Sequence, residues 1–579
     1  QSRWLWTARF FSSFGVALAL LDPGGLCGDL DRLAAPTRLE RPFVVTQLPA
    51  DTEVERRGPT AGGMLRASYG EGARLVLVAP DGSPRVLKGG FHSAADPDVS
   101  FDGARLLFAA KRTASDQWNI YEMAVDGSGL RQITKDLGDC RSPSYQSTLY
   151  TMPPPTVVAP APRHQITFVC NRAGSMNEYG GTVATHLYSS KLDGSAQRRL
   201  TFNLSSDVDP VILPDGRILF ASWQRSRLDH GLPGRVGLFG VNIDGADFAL
   251  FAGYEGRRVK HMPCVTAGGL AVFVEADQVP WDGAGQLASV TLRRPLHSYR
   301  KITGESDELF HTPSPLPDGR ILVSRRPRDG SRSHGVWRLD PVSGEAEPVF
   351  DDPHYHDVQA KCIYPRQEPD GRSSVVAEED PHGRLYCLNV YTSDLEGPNR
   401  MPPGSVQRIR VLEGVPLARV AGSGFGVQGS EFAQIRGTQG PEPRTLNPEP
   451  GGIPPLAQRR VLGEIPVGGD GSFNVEIPAN TPVEVQILDA DGLALRSCGW
   501  IWAKNHEPRG CVGCHEDGEM VPENWFVDAV AEASVNLTPP PEERRSIDFR
   551  RDVMPILAAK CVECHGREEK TPLYLDDDL

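Results

Sequence analysis

The sequence has little of what marks a nucleic-acid-binding, membrane-spanning or common hydrolytic protein. Its 61 Lys and Arg residues against 74 Asp and Glu give a net charge of −13, which argues against a nucleic-acid partner. No run of 18 or more apolar residues occurs within the chain, so a transmembrane helix there is excluded. A Gly-rich phosphate loop, a nucleophile elbow and an HExxH motif are also missing.

Glycine and proline are abundant, with 60 and 50 residues, whereas aromatic residues make up 7%. This composition favours many short strands joined by turns over long helices. A chain of 579 residues is too long for one ordinary core, so several domains are expected.

The first 30 residues resemble an export signal. Residues 3–21 read "RWLWTARFFSSFGVALALL", in which Arg3 and Arg9 precede an apolar stretch. An interfacial or buried helix is the alternative. The export interpretation predicts a periplasmic or otherwise exported protein.

Two kinds of hairpin alternate through the first two thirds of the chain. One kind contains "LPDGRIL", which occurs at 213–219 and again at 316–322; the other is exemplified by "HLYSSKLDGSAQRRLT" from 186. Both consist of a strand, a tight Asp-Gly turn and a second strand. The repeating unit starts near residues 96, 142, 207, 261, 311 and 355.

Four strands in each 40–50 residues are typical of a propeller blade. We therefore predict a mainly β fold in which residues 70–396 form a six-bladed β-propeller, with seven blades as the alternative count. The hairpin at 73–87 would complete the last blade and close the ring. The Asp-Gly turns also resemble TolB-type repeats, and an array of β-sandwiches is the competing architecture.

The rest of the chain divides into three parts. Residues 397–460 are rich in Gly and Pro and predict a linker. Alternating strands return in 461–530, which we interpret as a small β-sandwich or middle module. Residues 531–579 lack strand alternation, and the spacing of apolar residues in "RRDVMPILAAK" predicts an α-helical c-type cytochrome region. Because only 14 residues follow His565, we expect that domain to be incomplete.

Two CxxCH motifs carry the chemistry of this chain. The first motif consists of Cys511, Cys514 and His515, and the second of Cys561, Cys564 and His565. Two thiols at i and i+3 can bond to both vinyl groups of a haem, and the adjacent His then supplies an axial ligand to the iron. The motifs therefore predict two covalently bound haem c groups, the first in 461–530 and the second in 531–579.

Two other interpretations of these motifs stay open. A zinc ribbon also uses paired CxxC knuckles, but usually with about 15–20 residues between them, whereas 46 residues separate Cys514 from Cys561. A redox dithiol of the thioredoxin type expects a βαβ context, which is missing here. The seven remaining cysteines are scattered and odd in number, so they do not indicate a disulfide framework.

The axial ligands opposite His515 and His565 are less clear. His506, five residues before Cys511, is a candidate sixth ligand for the first haem iron, and an exposed loop residue is the alternative. Met520 and Met554 are further candidates, although methionine more often fills a core.

The segments before the two motifs resemble those of a known family. "ILDADGLALRSCGWIW", "HEPRGCVGCHED" and "IDFRRDVMPILAAKCVECHG" are similar to the hydrazine synthase alpha subunit and its relatives, and the last also resembles planctomycete-type cytochrome c domains. The resemblance spans roughly residues 70–579. It implies a six-bladed propeller, one haem c in a middle module and one in a C-terminal cytochrome domain.

In the catalytic subunit of that family, a Tyr soon after the first motif ligates the haem iron and the motif His helps to bind zinc with a propeller cysteine. The resemblance makes Cys264 the candidate zinc ligand. The sequence departs from the family at the Tyr, because Glu519 and Met520 follow the first motif and the next Tyr is Tyr574. This departure argues against hydrazine synthesis itself.

Polar residues also gather at predicted blade entrances. "KHMPCV" places His261 beside Cys264, His311 begins another unit, and "DDPHYHDV" contains His354, His356 and Asp357. A metal or substrate site is one interpretation, and solvated loop positions are the other.

Together these features predict an exported dihaem c-type cytochrome with a propeller domain. Its function would be electron transfer or oxidoreductase chemistry on a small nitrogen or oxygen compound at the first haem, with a redox protein as partner. The alternative is a propeller scaffold for protein binding whose haem groups only relay electrons.

Overall fold

The computed structural model describes most of the chain. The described ranges are 37–50, 55, 63–67, 70–87, 90–151, 165–178, 182–225, 233–253, 255–393, 400–418, 457–514 and 526–565. The export-like segment 1–30 lies outside them. No helix among these residues is long and apolar enough to cross a membrane.

Six four-stranded antiparallel blades form the propeller within the described residues, in agreement with the predicted count of six, and a parallel pairing of Val236 with Val259 joins blades 3 and 4 into one sheet. The strands of blades 1 to 3 are β4 (Ser93–Val99), β5 (Arg105–Lys111), β6 (Asn119–Ala124) and β7 (Arg131–Gln132); β8 (Cys140–Tyr145), β10 (Ile166–Cys170), β11 (His186–Ser190) and β12 (Arg198–Arg199); and β13 (Asp207–Ile212), β14 (Ile218–Gln224), β15 (Arg235–Val241) and β16 (Ala249–Ala252). Those of blades 4 and 5 are β17 (Val259–Val265), β18 (Leu270–Ala276), β19 (Gln286–Thr291) and β20 (Arg300–Lys301); and β21 (Glu308–Pro315), β22 (Ile321–Pro327), β23 (Gly335–Leu339) and β24 (Ala346–Phe350).

Blade 6 closes the ring with strands from both ends of the propeller. Its inner strand is β25 (Tyr355–Cys362), and its outer strands are β1 (Phe43–Pro49), β2 (Arg74–Val78) and β3 (Pro84–Val86). The hairpin at 73–87 thus completes the last blade as expected. However, β1 lies between this hairpin and β25, so strand pairing extends the propeller to 43–362 instead of 70–396. The pairing of β1 with β25 is non-local, and a local pattern does not reveal it.

Each inner strand bends at one residue with positive φ. These residues are Asp96, Ser142, Asp209, Met262, Thr312 and Gln359, and proline follows five of them. The strand register shifts beside each bend, as is typical of a β-bulge. All six bends line one cavity of about 90 Å³, so the bulges surround the axis of the ring.

The blades are linked to one another at these bends. Asp96 Oδ2 accepts a hydrogen bond from the backbone N–H of Ser142 at 2.9 Å, and Asp209 Oδ2 accepts one from that of Met262 at 3.2 Å. Arg66 also pairs with Asp209 at 2.6 and 2.7 Å. Neighbouring blades are therefore joined by side chains in the same place where their backbones kink.

Two further sheets form the β-sandwich. One consists of β27 (His382–Cys387), β30 (Phe473–Pro478), β33 (Pro508–Cys511) and β34 (Val535–Asn536); the other consists of β28 (Arg408–Val415), β29 (Gln458–Pro466), β31 (Val483–Leu488), β32 (Ala494–Ser497) and β35 (Arg545–Ser546). Strand β27 comes from the segment assigned to the propeller, and β28 from the segment assigned to the linker 397–460. Both pair with strands far along the chain, so their membership depends on tertiary contacts.

The sandwich is docked against blades 2 and 3 by two buried tryptophans. Trp502 stacks on Phe248, with ring centroids 4.1 Å apart, and its indole N–H donates to the carbonyl of Gly245 at 3.2 Å. The indole N–H of Trp500 donates to the carboxylate of Glu178 at 2.9 Å. Because both tryptophans are almost fully buried, the chain that leads to the first motif is held firmly against the propeller.

Three short α-helices lie in the last described segment. Its helices are α1 (Asp528–Ala531), α2 (Met554–Lys560) and α3 (Val562–His565), with short 3₁₀ and π turns at Pro541–Glu543 and Phe549–Val553. A separate 3₁₀ turn occurs at Pro295–His297, and a small parallel pair joins β9 (Leu149–Thr151) to β26 (Arg372–Ser374). The mainly β class is confirmed.

Candidate functional site: the two CxxCH motifs

The first motif begins where strand β33 ends. Cys511 is the last residue of that strand, and it pairs in parallel with Cys387 of β27. Three backbone hydrogen bonds fasten the following turn to residues 388–392: Leu388 N to Cys511 O at 3.0 Å, Asn389 N to Val512 O at 3.2 Å, and Cys514 N to Thr392 O at 3.0 Å. The first motif therefore follows a strand and not a helix.

Gly513 is required by this close approach. A Cβ atom at Gly513 would lie 2.1 Å from the carbonyl oxygen of Thr392, a separation that no side chain tolerates. The motif turn is thus held tightly against the edge of the sandwich, which fixes the positions of its two cysteines.

The two cysteines of the first motif are half-buried and pack against the sandwich core. The buried Cys387 thiol hydrogen-bonds that of Cys514, and this contact and burial raise the pKa of Cys387 well above its usual value. Cys498 also lies near the motif, because the charges of Cys511 and Cys514 contribute to the raised pKa of its thiol. Sequence analysis missed Cys387 and Cys498, because nothing in the spacing of isolated cysteines signals that they meet the motif.

His515 lies outside the described residues, as do Glu519, Met520 and Tyr574. His506 is described and lies on a tight turn before β33, with a φ of 63°. Its side chain is 67% exposed, and its Nδ1 atom lies 2.9 Å from the carboxylate of Asp380. The four residues of β33 span about 10 Å from the first to the last. His506 precedes this strand and Cys511 ends it, so the strand separates the two residues.

The second motif forms one helical turn. The Cys561 N–H donates to the carbonyl of Leu557 at 2.8 Å, and the His565 N–H donates to that of Cys561 at 2.9 Å. Residues at i, i+3 and i+4 share one face of a helix, so Cys561, Cys564 and His565 point in similar directions. Cys561 and His565 are half-buried, and Cys564 is exposed.

Both motifs suit covalent haem. The buried Nδ1 atom of His565 has no hydrogen-bond partner among the described residues. The segment 526–565 also exposes large apolar side chains, namely Phe526, Val530, Val535, Ile547 and Ile556. A large apolar group attached at the second motif would find apolar protein surface there. At the first motif, the rigid turn holds both thiols at the rim of an apolar core.

The zinc interpretation has no such support. Cys264 is buried in an apolar cluster of blades 4 and 5, and burial raises the pKa of its thiol to about 12. Within the described ranges, no group of three or more His, Cys, Asp or Glu residues is arranged to hold a metal ion.

The polar residues at the blade entrances do meet, at the inner ends of blades 4, 5 and 6. The rings of His311 and His334 lie 5.4 Å apart, and those of His334 and His356 lie 5.5 Å apart. Asp282 Oδ2 is 2.8 Å from His334 Nε2 and accepts a hydrogen bond from Arg326 Nε, also at 2.8 Å. His334, Asp282 and Arg326 were not singled out from the sequence, because they come from loops and a second strand.

His261 lies near this histidine cluster, with its Nε2 atom 2.7 Å from the carbonyl of Gly283. His354 does not join the cluster, since it is exposed. Asp357 is buried instead beside Gln47, and burial raises its pKa to about 8. The network therefore lies inside the propeller and is not a loop cluster open to solvent. Its buried members are His261, His311, His334, His356, Asp282 and Arg326.

The network predicts that acid destabilises the propeller. Burial lowers the pKa values of His261 and His334 from 6.5 to about 4. Between pH 6.5 and 4 the unfolded chain takes up more protons at these positions than the folded chain, so stability falls as the pH falls. The loss is on the order of 3 kcal/mol for each histidine at pH 4. Thermal melts between pH 7 and 4 measure it.

Two variants check the sign of this effect. His334→Gln should weaken the loss of stability in acid, whereas His354→Gln at an exposed position should not. Asp357 acts in the opposite sense, because the folded state keeps its proton up to about pH 8. Asp357→Asn should therefore steepen the loss. A melting temperature that stays constant down to pH 4 in the unmodified protein contradicts the prediction.

Comparison with known proteins finds similarity to the hydrazine synthase alpha subunit. A family model described as the hydrazine synthase alpha subunit middle domain matches residues 404–516, which include Cys511, Cys514 and His515. Hydrazine synthase subunit alpha of Kuenenia stuttgartiensis is 26% identical over 628 residues, covering 86% of this chain and 75% of that protein.

Among solved structures, Kuenenia stuttgartiensis hydrazine synthase superposes with a TM-score of 0.73 at 24% identity, covering 93% of this chain and 82% of that one. TolB from Acinetobacter baumannii aligns with 57% of this chain and 68% of its own, at 14% identity and a TM-score of 0.37. The resemblance to the hydrazine synthase alpha subunit family that the two motifs and their preceding segments indicated is thereby confirmed.

Proposed function

We propose that this chain is an exported dihaem c-type cytochrome built on a propeller, which transfers electrons and carries out redox chemistry on a small nitrogen or oxygen compound. The observation that carries the proposal is the pair of CxxCH motifs, the first of which belongs to the matched middle domain. The relationship to hydrazine synthase subunit alpha supports a redox role.

Each part of the chain has a role in this proposal. Cys511 and Cys514 would hold the first haem and Cys561 and Cys564 the second, through thioether bonds, and His515 and His565 would ligate the iron. Haem c supplies a one-electron redox centre when it is bound. The sandwich and the buried tryptophans keep the first motif at a constant distance from the propeller.

The two sites differ in ways that suit different tasks. The second motif is on a short helix with Cys564 exposed, which favours electron exchange with a partner protein at that surface. The first motif is fastened to the edge of the sandwich with both cysteines half-buried against its core, which favours chemistry at a less exposed site. Covalent haem attachment occurs outside the cytoplasm, so the proposal includes export to the periplasm.

An open axial position at the first haem is the specific form of the proposal. His506 lies at the far end of β33 from Cys511 and is engaged with Asp380, and no Tyr follows the first motif before Tyr574. These two features favour a site at which a small nitrogen or oxygen ligand can bind. Two closed sites would instead indicate an electron relay on a propeller scaffold.

Carbon monoxide added to the reduced protein tests this point. We expect a Soret shift that involves about half of the haem, since one of the two sites is open, and we expect the same shift in His506→Ala. A pyridine haemochrome assay on the same sample counts the haem groups per chain and should give two.

Two results would overturn the proposal. If the purified protein has no covalent haem, the cytochrome interpretation is wrong. If carbon monoxide causes no shift in the unmodified protein but does so in His506→Ala, His506 is the sixth ligand and the first haem is a relay. His354→Ala, which alters an exposed histidine of the propeller, is the matched control and should leave the spectrum unchanged.

A further inference from the structure

Two cysteines face each other across neighbouring strands of blade 2. Cys140 begins β8 and Cys170 ends β10, and the two residues are direct partners in the antiparallel register. Their sulfur atoms are 3.2 Å apart. Both residues have 0% exposure and belong to the same apolar cluster.

The backbone around this pair has the geometry that cross-strand disulfides need. The N–H of Cys140 donates to the carbonyl of Trp118 in blade 1, and the N–H of Asn171 donates to the carbonyl of Asp139. The two cysteines thus do not bond each other's backbone and form a non-hydrogen-bonded pair. In such pairs the Cα atoms are about 4.5 Å apart, within the range of about 4.4–6.8 Å found in disulfides.

We propose that Cys140 and Cys170 form a disulfide bond that ties the inner strand of blade 2 to its neighbour. The bond requires an oxidising compartment, so this inference rests on the export included in the proposed function. It concerns a covalent modification of the propeller that the two haem motifs do not involve.

The chemistry balances with a disulfide as the oxidant. The thiolate of one of the two cysteines attacks the disulfide of a thiol–disulfide oxidoreductase and releases one of its thiolates. The thiolate of the other cysteine then attacks the sulfur of the first and releases the second thiolate. The two cysteines lose two protons to solvent and two electrons to the oxidant, whose two released thiolates take up two protons from solvent to give a dithiol.

The two thiols are already in contact in the folded blade. The Cys140 thiol donates a hydrogen bond to the Cys170 sulfur, and the Cys170 thiol donates one to the carbonyl of Leu137 at 3.2 Å. Because both sulfurs are fully buried in the finished blade, oxidation takes place before blade 2 has closed, and the folded propeller then shields the bond from reductants.

Differential alkylation tests the proposal in the full-length, haem-loaded protein secreted by a host that attaches haem c. The protein is denatured in iodoacetamide without reductant, digested and analysed by mass spectrometry. We expect a linked pair of peptides that contain Cys140 and Cys170, which separates after reduction. Cys264 and Cys362 are the internal controls, since both are buried but neither has the sulfur–sulfur contact that joins Cys140 to Cys170, and both should be alkylated completely.

A second measurement uses stability. Protein that has been unfolded and refolded in reductant should melt several degrees lower than the oxidised protein, because a closed loop of 31 residues loses its constraint. The double variant Cys140→Ala/Cys170→Ala should melt lower and show no dependence on reductant, whereas Cys264→Ala should retain that dependence.

Haem staining of the same sample separates this proposal from the proposed function. Complete alkylation of Cys140 and Cys170 without reductant, in protein that carries haem, overturns the disulfide and leaves the cytochrome standing. A linked peptide pair in protein without haem supports the disulfide and overturns the cytochrome.

Discussion

Replacing both cysteines of the first motif should remove about half of the covalent haem. In Cys511→Ala/Cys514→Ala the first haem has no thioether attachment, whereas the second motif is unchanged. Cys561→Ala/Cys564→Ala should remove the other half. Haem staining of the denatured protein on a gel, together with a pyridine haemochrome assay, measures both losses.

The chain offers a matched control for these variants. Cys387 and Cys498 lie beside the first motif in the same sandwich, so Cys387→Ala/Cys498→Ala also removes two thiols from that place. It should retain both haem groups, because neither residue belongs to a CxxCH motif. Loss of haem in the control alone, or unchanged haem in Cys511→Ala/Cys514→Ala, would refute the assignment of the first motif.

Removing strand β1 should prevent the propeller from folding. Deletion of residues 37–50 leaves β2 and β3 without a neighbour and exposes the edge of β25, the inner strand of blade 6. It also uncovers two apolar clusters, since Val44 and Val45 are fully buried in different ones. We expect insoluble protein, because a closed ring needs every blade.

A point variant measures the same effect quantitatively. Val45→Asp places an unpaired carboxylate in the interior of blade 6 and should cost several kcal/mol of unfolding free energy. The control Val342→Asp changes an exposed valine in the loop before β24 and should cost about 0.5 kcal/mol or less. If Val45→Asp melts like the unmodified protein, blade 6 is not closed by β1.

The sequence alone was sufficient wherever the determining contacts are local. A hairpin places its two strands next to each other in the chain, so the Asp-Gly turns and their flanking apolar residues revealed the propeller and the unit starts near 96, 142, 207, 261, 311 and 355. The CxxCH motifs are also local, because the spacing of two thiols and an imidazole within five residues specifies the chemistry they can perform.

Contacts between distant segments were decided only by the tertiary structure. "FVVTQLP" has no hairpin partner nearby, and its role as β1 depends on β25, more than 300 residues later. Strands β27 and β28 likewise joined the sandwich through partners beyond the segment 397–460.

Side chains also divide into those that the sequence alone revealed and those that only the tertiary structure brought together. His261 and His311 were recognisable because each lies near the start of a repeat, and His356 because it belongs to the polar stretch "DDPHYHDV". His334 and Asp282, which complete the network, come from other positions in their blades. The meeting of Cys140 with Cys170 and of Cys387 with Cys514 depends on strand register, and register is set by backbone pairing across the sheet, which the spacing of isolated cysteines does not encode.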